Sequence, residues 1–226
     1  MTEKAEFQAF KDKLRKRLLK YLRKAYRVLP ALDKPRILDI GCGSGVPTIE
    51  LARLSGGQVI GLDIDPALLD LLKAKIKRTG LADRVTALRC SMFEMDFPVE
   101  SFDVIWAEGS IAKIGFSAGL REWLRFLKPG GFLVVHDEAG NVKEKVSQVS
   151  IQGYDLLHSF ILDEKTWWDE YFAPLERKIA ETRAKRPADS KVTALLDADE
   201  REVEMVKRNP NRSRSVYFVM KKHELA

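Results

Sequence analysis

Between Ile37 and Ala52 the sequence reads ILDIGCGSGVPTIELA. An apolar run ends on Asp39-Ile40 and falls into glycines at alternate positions, Gly41, Gly43 and Gly45. Glycine permits backbone angles closed to other residues and lets a ligand press against the main chain. One glycine would serve a tight strand-to-helix turn; three at this spacing point to a cradle for a ligand. Asp63 stands near the end of the next apolar run, QVIGLDID (58–65). An acid there can accept two hydrogen bonds from a ribose diol. The pattern is G-x-G-x-G and departs from the dinucleotide G-x-G-x-x-G, because Val46 takes the third position. Asp63 by itself does not separate NAD from other nucleosides.

Other side chains could do chemistry. Glu108 and His136 fall at the carboxyl ends of SFDVIWAEG (101–109) and FLVVHD (132–137). Glu108 could hold an ammonium or act as a base, or bind nearby Lys113; an acid at a strand tip is costly unless used. His136 could be a general base near neutral pH, or a satisfied histidine under the late loops. Asp137 and Asn141 suggest a magnesium site, but no third acid completes it, and no metal is expected. Aromatic side chains are mostly core. Set opposite the strand tips, Trp106, Phe116, Trp167, Trp168 and Tyr171, with Phe172, are expected to enclose an apolar or cationic acceptor. GFSAG (115–119) fits the nucleophile elbow G-x-S-x-G, with Asp137 and His158 following. An elbow needs a strand running straight into its serine. Here the apolar run ends near Ala107 and Ser117 reads as a helix N-cap, which sets a hydrolase aside.

The elements that must carry these residues alternate. RILDI (36–40), 58–65, RVTALRC (84–90), 101–109 and 132–137 read as strands. Helices follow from Pro47 to Leu54, from Pro66 to a stop at Gly80, and around Ala118–Phe126, where KPGG (128–131) reads as a turn. Strands that are continuously apolar, separated by helices, mean a parallel sheet covered on both faces. Later, YDLLHSFIL (154–162) and SRSVYFVMKK (213–222) read as two more strands. Between them a charged helical stretch, 164–208, carries Pro174 and Pro187 as expected breaks and is read as a cap or insertion. At the N-terminus Phe7, Phe10, Leu14, Leu18, Tyr21, Leu22 and Ala25 recur at helical spacing with a basic opposite face. That face is read first as solvated, then as part of a lid, and last as a nucleic-acid or membrane arm.

Composition bounds the rest. A chain of 226 residues, 45% hydrophobic, suffices for one sizeable core. No apolar run is long enough to cross a bilayer, and no membrane partner is expected. Cys42 and Cys90 make no disulfide framework or zinc spacing, which favours a reduced, cytoplasmic compartment. The net charge of +6 admits anionic partners, but much of it lies in the first helix.

ILDIGCGSG resembles motif I of the class I S-adenosylmethionine-dependent methyltransferases, and VIGLDID resembles their motif II. SFDVIWAEG with WLRFLKPGGFLVV is similar to the fourth strand, helix and fifth strand of that family. WAEGSIAKIGF, with Trp167, Trp168, Tyr171 and Pro174, is similar to a small-molecule branch. The resemblance covers 36–137 closely and 154–222 loosely. It implies an α/β fold: a doubly wound, seven-stranded, mostly parallel sheet with an antiparallel last strand. The whole of 1–226 is then one domain, with a basic amphipathic helix in 1–30, a core in 36–162 and 213–222, and a helical insertion in 164–208. It implies S-adenosyl-L-methionine as cofactor and S-adenosyl-L-homocysteine as product. By motif position, Asp39 would anchor the loop and reach the methionine ammonium, and Gly41, Gly43 and Gly45 would hold the methionine part. Asp63 would bind the ribose, Ile64 would pack on the adenine, and Met92 would offer its N–H to the ring. Ser91 stands where relatives often carry Asp, so its contact to the adenine amino group would be weaker. The Ala107 carbonyl would face the methionine group. The acceptor implied is a small molecule; a protein or RNA residue comes second, and a non-catalytic cofactor-binding protein is the reading from another class. The missing Asn-Pro-Pro-Tyr after the fourth strand argues, by the same resemblance, against methylation of exocyclic base amines. A dehydrogenase would need a second catalytic lobe, which the sequence lacks.

Overall fold

The computed structural model describes residues 3–185 and 190–224. The chain begins with α1 (Glu3–Tyr26) and then alternates: β1 (Arg36–Ile40), α2 (Val46–Ser55), β2 (Gln58–Asp63), α3 (Pro66–Thr79), β3 (Val85–Arg89), β4 (Phe102–Glu108), α4 (Phe116–Leu124) and β5 (Leu127–Glu138). There follow α5 (Val142–Ile151), β6 (Tyr154–Leu162), α6 (Glu164–Trp167), α7 (Ala173–Lys185), α8 (Ser190–Arg208) and β7 (Ser215–Lys222). Among the described residues seven strands form one sheet in the order β3-β2-β1-β4-β5-β7-β6. The first five are parallel; β7 runs antiparallel between β5 and β6. The order reverses between β1 and β4, and in such sheets ligands bind beyond the carboxyl ends at that point.

Local sequence accounts for these elements. Ile37, Leu38 and Ile40 of β1 are fully buried, as a strand covered on both faces requires. Asp65 caps α3 by accepting from the N–H groups of Ala67 (2.8 Å) and Leu68 (3.4 Å), Pro66 fills the first turn, and Gly80 ends the helix at φ +67°. One core layer, including Ile37, Val59, Val104, Trp106 and Val134, packs under α1, α2 and α3. The other, including Ile105, Leu120, Trp123, Leu133 and Phe218, packs under α4 and α5.

A third apolar cluster forms the cap. Phe7, Leu14 and Leu18 of α1 pack with Tyr171, Phe172, Leu175, Ile179, Leu196 and Val203, so the N-terminal helix and the late helical segment share a core. Three cations of α1 join this union: Lys11 pairs with Asp199 (2.5 Å), and Arg17 and Lys20 pair with Glu170 (2.9 and 2.7 Å).

Four local expectations change. KPGG does not turn the chain; β5 already starts at Leu127 and passes through Gly130 at φ +66°, with a register shift against β4. Ser117 is not the cap of α4; Gly115 holds that position, and the Ser117 hydroxyl bonds Gln148 (3.2 Å) and Gln152 (3.0 Å). Helix α5 carries no strong periodic signal and was not expected. Pro174 does not break the insertion. It is the second residue of α7, just after a π-turn (Trp168–Phe172), and the change of register absorbs the bond that proline cannot donate. Pro187 lies outside the described residues.

Candidate functional site

The three glycines between β1 and α2 all take left-handed angles, with φ of +74°, +53° and +80° at 41, 43 and 45. The turn is cross-braced from β2: the Leu62 carbonyl accepts from the N–H of Gly41 (2.8 Å) and of Cys42 (2.9 Å). A Cβ on Gly41 would lie 2.6 Å from Ser110 Cβ, and one on Gly45 would lie 2.3 Å from Leu72 Cδ1. Ser110 is pinned by its bond to the Ile40 carbonyl (2.6 Å), and Leu72 is fully buried, so neither can withdraw. Gly43 has nothing closer than 4.0 Å. Gly41→Ala and Gly45→Ala should therefore each cost about 2–5 kcal/mol, combining a left-handed residue with overpacking. Gly43→Ala meets only the angular term, about 1–2 kcal/mol. Urea unfolding of the three variants checks this ranking, and equal losses at all three would contradict it.

Asp63, at the end of β2, accepts from the Gly43 N–H on Oδ2 (2.8 Å) and from the Asp65 N–H on Oδ1 (2.9 Å). The carboxylate is thus fixed to the glycine loop, and each oxygen keeps a lone pair for a further donor. Asp39 is buried and accepts from the Thr48 hydroxyl (2.6 Å). Burial pushes its pKa up to about 7, with the Thr48 bond pulling down and the charge of Glu108 pushing up. A cation settling beside Asp39 would favour its ionised form. From the other side α1 clamps the loop: Ser44 donates to Asp12 (2.6 Å), while Lys75 pairs with Asp12 (2.6 Å) and donates to the Ser44 carbonyl (2.5 Å).

A chamber of about 420 Å³ opens beside this loop, lined by Gly41, Asp63, Ile64, Ser91, Met92 and Phe93 among others. Ile64 and Phe93 are 66% and 65% exposed, an apolar pair suited to the faces of a flat ring. The Ser91 hydroxyl accepts from the Phe93 N–H (3.2 Å). Ala107 is fully buried within β4 and does not line the chamber; Gly109 does. These residues fit a nucleoside: bare main chain, a carboxylate for a diol, and apolar surface for a base.

A second chamber, about 230 Å³, adjoins the first, since Gly109 lines both. Glu108, His136, Trp167, Phe172, Arg15 and Arg214 are among its walls. Glu108 Oε1 accepts from Trp106 Nε1 (2.9 Å) and from the Tyr217 hydroxyl (3.0 Å). Those are its partners, in place of Lys113. His136 is buried, stacked on Tyr217 at 4.1 Å between centroids and parallel to Trp167 at 5.9 Å. Its Nε2 lies 2.7 Å from the Ser215 hydroxyl, which also accepts from Trp167 Nε1 (2.8 Å).

His136 sits in a setting that favours the neutral ring over a general base. Burial pushes its pKa down to about 3, and the charge of Arg15 adds to the effect. The ring is neutral at physiological pH and a weak base; it aligns Tyr217, Trp167 and Ser215. An unfolded histidine takes up its proton near 6.5, so between there and about 3 the unfolded state binds more protons. The stability contributed by the neutral ring is present above pH 6.5 and lost as pH falls toward 3. Between pH 7.5 and 5 wild type should therefore lose about 2 kcal/mol more than His136→Gln. Identical losses in chemical denaturation would count against a neutral His136.

Of the six aromatic residues expected around an acceptor, Trp167 and Phe172 line the second chamber. Trp106 is fully buried in the sheet core and serves through its bond to Glu108. Phe116 packs on Phe218 under α4, while Trp168 and Tyr171 belong to the cap core. Asp137 is held by Lys145 (2.6 Å), and Asn141 precedes α5 at φ +52°. Sequence reasoning missed Arg15 and Arg214. Arg15 lies inside a run of cations, and Arg214 in the short segment before β7.

A family model described as "Methyltransferase domain" matches residues 37–131. The sterol 24-C-methyltransferase of Eremothecium gossypii is 35% identical over 102 residues, covering 45% of this chain and 27% of that protein. The chain spans less than half the length of the curated relatives it matches. Among solved structures, a SAM-dependent methyltransferase from Geobacter sulfurreducens in complex with S-adenosyl-L-homocysteine superposes with a TM-score of 0.72 at 19% identity, over 91% of this chain and 90% of that one. The [4+2]-cyclase SpnF has the same TM-score at 22% identity, covering 90% and 81%. Residues 37–131, which open with the glycine loop, thus match a methyltransferase domain, and nine-tenths of the chain shares the fold of a SAM-dependent methyltransferase solved with S-adenosyl-L-homocysteine.

Proposed function

We propose that the protein transfers the methyl group of S-adenosyl-L-methionine to a small molecule. The observation that carries this reading is the junction at Gly109: a chamber over the glycine loop that fits a nucleoside meets a second chamber with the Glu108 carboxylate on its wall. S-adenosylmethionine brings an activated methyl group on a cationic sulfur, so the protein need only align a nucleophile, exclude water and receive a proton. In this reading Asp63 holds the ribose, Ile64 and Phe93 flank the adenine, and the Gly41–Gly45 main chain with Asp39 receives the methionine end. Glu108 orients the acceptor and takes its proton on the carboxylate. Arg15, Trp167 and Phe172 form the cap-side wall of the second chamber.

The sterol methyltransferase among the relatives supports a small acceptor, though a narrow charged chamber suits a more polar one. A protein or RNA acceptor is the alternative for the same chemistry. A second reading is favoured by the likeness to the cyclase, a neighbour whose fold serves another reaction: the cofactor would be held as structure and never consumed. Incubation with methyl-labelled S-adenosylmethionine, a metabolite extract and bulk RNA decides among these. Label in a small organic product with release of S-adenosylhomocysteine is expected. Tight cofactor binding without label transfer to any pool would favour the second reading.

A further inference from the structure

We propose that the acceptor is a small oxyanion, a carboxylate or phosphate, received by the guanidinium groups of Arg15 and Arg214 while its N–H or O–H nucleophile faces Glu108. This rests on the methyl-transfer reading and names its acceptor class. Arg214 Nε is closed off from solvent and has no hydrogen-bond partner. Glu164 forms an ion pair with this Nε at 3.7 Å, too long for a hydrogen bond, and the rest of the Arg214 side chain is 42% exposed. Arg15 is half-buried and, among the described residues, has neither hydrogen bond nor ion pair. The other arginines of α1 do: Arg17 with Glu170 (2.9 Å) and Arg23 with Glu50 (2.6 Å). Both groups line the same chamber, Arg15 without an ion pair among the described residues and Arg214 with one long one.

Guanidinium donors without hydrogen-bond partners are costly where they are shielded from water, and an oxyanion is the ligand whose geometry matches their fork. The acids on these walls do not serve. Asp137 is taken by Lys145 (2.6 Å), Glu138 is exposed, and Glu202 feels the charge of Arg15 across space without a hydrogen bond or ion pair to it among the described residues. Glu108 has Oε1 committed to Trp106 and Tyr217 and stands next to Gly109, where the cofactor chamber opens. The walls thus offer cations for one end of a ligand and an acceptor of hydrogen bonds at the transfer end. A volume near 230 Å³ lies below the usual span for drug-sized ligands, so the molecule is short.

The test is a thermal-shift and calorimetric titration of the protein at fixed ionic strength, with inorganic phosphate, glycolate, ethanol and chloride as probes. It is run free, saturated with S-adenosylhomocysteine, and saturated with 5′-methylthioadenosine, which lacks the carboxylate. Saturable binding of phosphate or glycolate by the S-adenosylhomocysteine complex is expected, with no effect of ethanol or chloride; preference between the two anions tells phosphate from carboxylate. Arg15→Met and Arg214→Met should each weaken it at least 10-fold, Arg15→Lys less, and Arg53→Ala, in α2 and outside both chambers, not at all. Anion binding that survives in the methylthioadenosine complex but vanishes with S-adenosylhomocysteine would overturn the proposal, because the arginines would then serve the cofactor's own carboxylate. So would indifference to both anions, or arginine variants that fold and bind like wild type. Should S-adenosylhomocysteine itself fail to bind, the methyl-transfer reading falls, and the free protein still reports on the anion site.

Discussion

Asp63→Ala is expected to weaken S-adenosylmethionine binding by roughly 10- to 100-fold, since a hydrogen bond to a charged group contributes about 1.5–3 kcal/mol. The loss has two sources. The ribose would lose its carboxylate, and the Gly43 N–H would lose the acceptor that holds it at 2.8 Å. Asp63→Asn separates them. An amide keeps one oxygen but cannot serve both the loop and a diol, so it should fall between wild type and alanine. Ser91→Ala is a useful control, because a neutral hydrogen bond is worth only about 0.5–1.5 kcal/mol. Calorimetry with S-adenosylhomocysteine reads all three, and an unchanged affinity in the alanine variant would remove Asp63 from the site.

Glu108→Gln should lower kcat by about 100-fold, the low end of what a positioned acid–base group supplies, while leaving S-adenosylhomocysteine affinity near wild type. Glutamine is isosteric and can still accept from Trp106 and Tyr217 on its oxygen, so the wall keeps its shape. What it loses is the charge that draws the proton from the acceptor. The split matters: a purely structural Glu108 would show reduced stability and weaker cofactor binding together. The assay uses the acceptor that the labelled-methyl screen returns, and a kcat within a few-fold of wild type would assign the proton to another group or to water.

The glycine loop was legible because its information is local. Three residues must each take a left-handed angle, and glycine does so freely. Asp63 was legible for a similar reason: its place after a buried strand puts it at the ligand end of any parallel sheet. The aromatic residues were not, because helical or strand period gives spacing but no rotation against the neighbours. Trp106 points into the core, and Tyr171 packs on Trp167 and Phe172 inside the cap. The protonation of His136 could not be read either, since it depends on Tyr217 and Trp167, remote in sequence, closing over the ring. Arg15 was hidden among cations of like type; only the fold shows that Arg17 and Arg23 are paired and it is not. The tie from Asp12 to Ser44 and Lys75 also spans three elements. It makes α1 part of the cofactor loop's support, a role that its amphipathic pattern alone could not reveal.

Everything in this account depends on the chamber over the glycine loop seating an adenosyl group. A crystal structure of the protein with S-adenosylhomocysteine tests that directly. The account predicts both ribose hydroxyls within hydrogen-bond distance of the Asp63 carboxylate, the adenine between Ile64 and Phe93, and the sulfur directed toward Gly109. Density for the nucleoside elsewhere, or a chamber that stays vacant at saturating ligand, would contradict it.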